Sequence, residues 1–164
     1  MEKLRACFFT GHRRLPESRL DEIKELIWDK AEKLIIDYDV RYFISGGALG
    51  FDTIAAETIA ELRELYPHIR LLMYLPCYNQ SKIWTAQNRR RYDEMLDAAD
   101  EILYVTESDY FDGCMQKRNM RMIKDAFFCI AFCTQSRSGT GATLRFAKES
   151  GDKVINVADI LYED

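Results

Sequence analysis

The residues able to do chemistry sit in three glycine-bearing turns. The first is Thr10-Gly11-His12-Arg13, the second runs from Ser45 through Gly46, Gly47 and Gly50 to Asp52, and the third is Ser138-Gly139-Thr140-Gly141. Glycine leaves room for a phosphate to approach the backbone, and amides that open a helix attract anions. Gly46, Gly47 and Gly50 suit that use, and Gly139, Thr140 and Gly141 offer it a second time. Arg13 and Arg118 are candidates for bidentate pairing with phosphate oxygens,. Tyr78 and Trp84 are candidates to flank a base or another ring.

Each of these readings has a plainer rival. A G-G-x-x-G run after a strand also writes a tight strand-to-helix turn, and the spacing here is not G-x-G-x-x-G. Asp52 in the first turn of a helix complements the dipole without meeting any ligand. Trp84 packs as readily as it stacks, and His12 serves equally as a loop hydrogen-bonder. Acid/base chemistry at a glycosidic or phosphate bond would fall to Asp52, Glu57 or His12,.

The turns need a scaffold that brings them together, and the chain supplies a strand before each. Ala6 to Thr10, Tyr42 to Ser45, Ile69 to Leu75, Glu101 to Thr106, Phe127 to Cys133 and Val154 to Val157 read as strands. Between them lie helical stripes: Leu20 to Ile35, capped by Ser18; Ala55, Ile59, Leu62 and Tyr66, closed by Pro67; Tyr92, Met95, Leu96 and Ala99; Met115, Met122, Ile123 and Ala126; and Leu144, Ala147 and Gly151,. Runs such as FFCIAFC and RLLMYL are apolar on both faces, as buried parallel strands are,. Strict alternation predicts one α/β domain over residues 1–164, Rossmann-like, with a mainly parallel sheet and helices on both faces. In such sheets ligands bind beyond the carboxyl ends of the strands, where all three glycine turns fall.

Composition narrows the function classes. A net charge of −4 disfavours a protein that coats nucleic acid by bulk attraction, so a nucleic-acid partner is not expected despite the clusters at His12-Arg13-Arg14 and Arg89-Arg90-Arg91,. Five cysteines without C-x-x-C spacing and only two histidines predict core thiols, no metal site and no cofactor,. There is no apolar stretch of the length that spans a bilayer and no signal-peptide pattern, which points to a cytoplasmic protein,.

TGHRR after the first strand and ISGGALGFDTIAAE after the second resemble the SLOG superfamily, Rossmann-like proteins that include the DNA-processing protein of natural transformation and the Lonely Guy phosphoribohydrolases. YLPCYNQSKIW, NRRRYDEML and QKRNMRMIKDA are similar to its small YpsA-like branch, and the likeness covers nearly the whole chain. The resemblance implies a nucleotide or nucleotide-derivative ligand held by Gly11, Arg13, Ser45, Gly46, Gly47, Gly50, Asp52, Arg118, Asn119, Gly139, Thr140 and Gly141. It also implies relatives that self-associate, hence a possible homo-oligomer. Phosphoribohydrolase members carry P-G-G-x-G-T-x-x-E; here the stretch is SRSGTGATLRF, with Ala142, Thr143 and Leu144 where the glutamate should lie. That departure favours a binding or sensor protein over a hydrolase.

Overall fold

The computed structural model describes residues 1–163. Six strands form one sheet: β1 (Ala6–Gly11), β2 (Tyr42–Ser45), β3 (Arg70–Leu75), β4 (Glu101–Tyr104), β5 (Phe128–Phe132) and β6 (Lys153–Asn156). Their order across the sheet is β4-β3-β2-β1-β5-β6, and every pairing is parallel. The chain steps outward from β1 to β4 on one side, then crosses back to place β5 against the other side of β1. The reversal point therefore lies between β1 and β5.

The crossovers are α1 (Leu20–Tyr38), α2 (Phe51–Leu65), α3 (Ala86–Ala98), α4 (Cys114–Asp125) and α5 (Gly139–Glu149), followed by the short α6 (Val157–Leu161). Side chains alternate across a strand, and β1 divides accordingly. Cys7 and Phe9 join the core under α1, α2, α3 and α6 with Ile27, Phe43, Phe51 and Ile59, whereas Ala6 and Phe8 join the core under α4 and α5 with Ile44, Met122 and Leu144. Both faces of the central strands are thus sealed, as the unbroken apolar runs require.

Several boundaries differ from the sequence expectation. Ser18 caps nothing: it lies in a 3₁₀ turn at Glu17–Arg19, and α1 opens at Leu20 with Arg19 in the cap position. Arg19 instead pairs with Glu22 at 2.8 Å and donates to the Leu161 carbonyl at 3.1 Å. Tyr66 and Ala99 are C-cap residues and not helical. β4 stops at Tyr104, although the Val105 amide still donates to the Leu75 carbonyl at the end of β3 and the Thr106 hydroxyl to that of Pro76. Val157 is the first residue of α6 and no longer strand, since the Asn156 side chain accepts from the Ala158 amide and starts a helix there. The third glycine turn is itself the first turn of α5, and Gly151 lies past that helix at φ +84°. Among the described residues no helix is long and apolar enough to cross a membrane.

Candidate functional site

A cavity of about 270 Å³ opens at the reversal point of the sheet. From the end of β1 it takes Thr10, Gly11, His12 and Arg13; from α4, Arg118 and Asn119 with Met115 and Met122; from α5, Ser138, Gly139 and Thr140; from the second turn, Ala48 and Asp52. Eight of the sequence-predicted residues therefore share one wall-to-wall space. A separate cavity of about 660 Å³, bounded by Lys3, Tyr74, Arg121 and Asp125, contains none of them.

The second turn is closed upon itself. Asp52 is 5 % exposed, and its Oδ2 accepts from the Ala48 amide at 3.2 Å. Ser45 Oγ accepts from the Gly47 amide at 3.3 Å and donates to the Asp52 carbonyl at 3.0 Å. The Phe51 amide, at the start of α2, goes to the His12 carbonyl at 3.2 Å. An anion approaching these donors would meet the protein's own carboxylate and carbonyls already in place. The glycines of this turn are accordingly positioned for packing: Gly50 (φ +80°) leaves space for the backbone of His12 and Arg13, and Gly47 sits against Tyr92 and Leu75.

The start of α5 is the more exposed of the two, whereas Phe51, Asp52 and Thr53 at the start of α2 are buried. Ser138 caps it by accepting from the Gly141 amide at 3.0 Å. The Gly139 and Thr140 amides carry no protein acceptor among the described residues, and nothing lies within 4 Å of the position a Gly139 Cβ would take. Gly141 is packed against the Ser136 backbone and stays off the cavity wall. The capping serine was legible as a small hydroxyl residue before the glycine run, a signal the glycines overshadowed.

Two cations complete the wall. Arg118 is 5 % exposed; its Nη1 donates to the Gly46 carbonyl at 2.6 Å and its Nε to Asn119 Oδ1 at 2.8 Å. Asn119 passes the link to α5 by donating to Thr143 Oγ1 at 3.1 Å. No carboxylate lies within ion-pair distance of Arg118 or Arg13 among the described residues. Burial pulls the Arg118 guanidinium below its ordinary value, while Asp52 opposes that shift. Burial pushes the Asp52 carboxyl up to about 6, against the pull of Arg118, the Ala48 amide and Arg13.

Of the remaining candidates only His12 reaches the cavity. His12 lines the cavity, but its Nε2 accepts from the Thr134 amide at 2.9 Å, which sets the proton on Nδ1; burial lowers its pKa,. Glu57 is held outside by Arg91 at 2.6 Å and 2.8 Å. Tyr78 is 54 % exposed and stands edge-on to Tyr104 at 4.9 Å. Trp84 packs edge-on to Tyr92 at 5.3 Å and borders two adjoining grooves instead of the cavity.

Comparison with known proteins agrees with this architecture. The chain is 34% identical over 140 residues to the uncharacterized SPbeta prophage-derived protein YoqJ of Bacillus subtilis, covering 79% of this chain and 82% of that one. It is 31% identical over 75 residues to the UPF0398 protein YpsA of the same organism, covering 46% of this chain and 42% of the relative, so it spans under half the length of that protein. DNA processing protein A from Helicobacter pylori, whose structure concerns its single-stranded DNA binding mode, shares the fold with a TM-score of 0.64 at 21% identity, over 93% of this chain and 64% of the other. The Streptococcus pneumoniae protein of that name does so with a TM-score of 0.65 at 18% identity, over 93% and 50%. The YspA SLOG family model matches residues 9–150, and the chain belongs to that family.

Proposed function

We propose that this protein binds a nucleotide or nucleotide derivative, with the ligand's phosphate at the start of α5. The observation that carries the reading is the convergence, in one cavity, of two unengaged helix-opening amides and two guanidiniums without carboxylate partners. Such a helix terminus favours anions, and arginine adds charge-assisted hydrogen bonds to phosphate oxygens. The second glycine turn supports the site from behind by fixing Asp52 and receiving Arg118. A thermal-shift screen of nucleotides, ADP-ribose and cyclic dinucleotides tests it, because a ligand that binds only the native state raises the melting temperature. We expect a rise with at least one of them and a much smaller rise for Arg13→Ala; no rise at saturating concentration would remove the reading.

A second reading, bond cleavage in the same cavity, is favoured by one observation. Asp52 is a buried carboxyl poised at about 6 that lines the space beside the amides, which suits a group exchanging protons near neutrality,. Release of free base from nucleoside monophosphates by wild type and its loss in Asp52→Asn would establish it. The single-stranded DNA binding of the Helicobacter pylori neighbour supplies a third arm for the same screen. Binding that weakens steeply with salt and is lost in Arg89→Ala/Arg90→Ala would extend that property to this chain.

A further inference from the structure

The phosphate cavity is small for a whole nucleotide. At about 270 Å³ it lies at the low end of small-molecule sites, roughly 300–1,000 Å³, so part of a nucleotide would extend beyond it,. Two grooves adjoin. One of about 550 Å³ shares only Arg13 with the cavity, whereas one of about 460 Å³ shares both Arg13 and Met115. The second is the more continuous with the phosphate position.

That groove is walled by rings on two loops that are tied together. Trp84 belongs to the loop after β3 and Tyr110 to the loop after β4; Asn79 Oδ1 accepts from the Tyr110 amide at 2.8 Å, and the Tyr78 amide donates to the Ser108 carbonyl at 2.9 Å. Between them lies Gln80, 7 % exposed. Its Nε2 donates to the Gly46 carbonyl at 3.4 Å and to the Tyr92 hydroxyl at 3.3 Å. A carbonyl can only accept, so the nitrogen must face Gly46 and the amide cannot be reversed. Oε1 is then a buried acceptor with no donor among the described residues. Buried acceptors are rarely left so, and a small turn of this groove-lining side chain would present Oε1 to a ligand N–H,.

We propose that this groove receives the heteroaromatic base of the nucleotide, its ring against Trp84 and Tyr110 and an N–H of the base donating to Gln80 Oε1. The proposal rests on the phosphate reading above and adds the subsite that reads the base. Arg13, common to both spaces, stands where the ribose and phosphate would join.

Fluorescence and calorimetry test it together. Trp28 lies on α1 at a different groove, so Trp28→Phe leaves Trp84 as the single tryptophan reporter. AMP, GMP, ribose 5-phosphate and pyrophosphate are titrated into this variant and into wild type. AMP and GMP should bind about tenfold or more tighter than ribose 5-phosphate, in line with the worth of one base–aromatic stack, and should alone quench Trp84. Tyr110→Ala truncates an exposed side chain and keeps its backbone bond to Asn79. It and Gln80→Leu should weaken AMP and GMP roughly five- to tenfold while leaving ribose 5-phosphate unchanged. Equal affinities for AMP, GMP and ribose 5-phosphate, without quenching and without effect of Tyr110→Ala, would overturn the base subsite and leave the phosphate reading standing. Failure of all four probes to bind would remove both.

Discussion

Arg118 Nη1 donates to the carbonyl oxygen of Gly46 at 2.6 Å, joining α4 to a turn 72 residues earlier in the chain. The bond explains why a guanidinium can be buried here without a carboxylate partner. Its polar groups are met by a backbone carbonyl and by Asn119, and its charge is shared between the cavity and the Asp52 carboxyl that lines it. A buried charge held in this way is sensitive to whatever displaces it.

Gly46→Ala should displace it. A Cβ at Gly46 would stand 2.7 Å from Arg118 Cζ, too close for the guanidinium to keep its place. Urea unfolding should show a loss of about 1–3 kcal/mol, typical of a forced side-chain shift in a packed region. An unchanged midpoint would mean that Arg118 relaxes freely and that the contact orders nothing.

Gly50 and Gly139 should respond in opposite ways to the same change. Gly50→Ala places a Cβ at φ +80° against the carbonyls of Arg13 and His12, and we expect a loss of roughly 3 kcal/mol or more,. Gly139→Ala meets open space at the start of α5 and should alter stability by no more than about 0.5 kcal/mol,. Chemical denaturation of the two variants side by side checks this; equal losses would contradict the division between a packing turn and an open one.

The Asp52 carboxyl makes stability depend on pH in a definite direction. Its pKa in the fold is raised to about 6 from an ordinary 3.8, so the native state binds the proton more tightly than the unfolded chain. The protonated form thus favours folding below about 4, and that advantage is lost as pH rises through 4 to 6. Asp52→Asn should remove the slope and be the more stable protein at pH 7, by about 3 kcal/mol for a shift of this size, with the gap closing towards pH 4,. Melting curves of both proteins from pH 4 to pH 8 would expose a gap of the wrong sign.

Glu57→Ala should change little. The carboxylate is held by Arg91 at the surface, off the cavity, and a pair of that kind contributes about 1 kcal/mol at most,. Any turnover or ligand-induced stabilisation found for wild type should survive this substitution. A severe loss of either would return Glu57 to the list of functional groups and require α2 to be repositioned.

Much of the architecture was legible in the residues alone. Alternating apolar strands and amphipathic helices force parallel crossovers, and the glycines after β1 and β2 and before Leu144 had to gather at one edge once the strands ran the same way,. Boundaries were less legible where side chains bond to backbone, as at Asn156, whose cap turns the last strand into α6. Periodicity does not register a single hydrogen bond.

What sequence alone determined, then, is the fold and the sheet edge at which the three glycine turns gather. What only the tertiary structure decided is which glycine turn is open. ISGGALGFD and SGTGAT read as equivalent anion cradles, because each places glycines and amides before a helix. In three dimensions the first is lined by Asp52, Ser45 and the carbonyl of His12, and its helix-opening residues Phe51, Asp52 and Thr53 are buried, while the second keeps Gly139 exposed and Thr140 half-buried with amides unengaged. The difference depends on partners from other turns, brought near only when β1, β2 and β5 pair side by side.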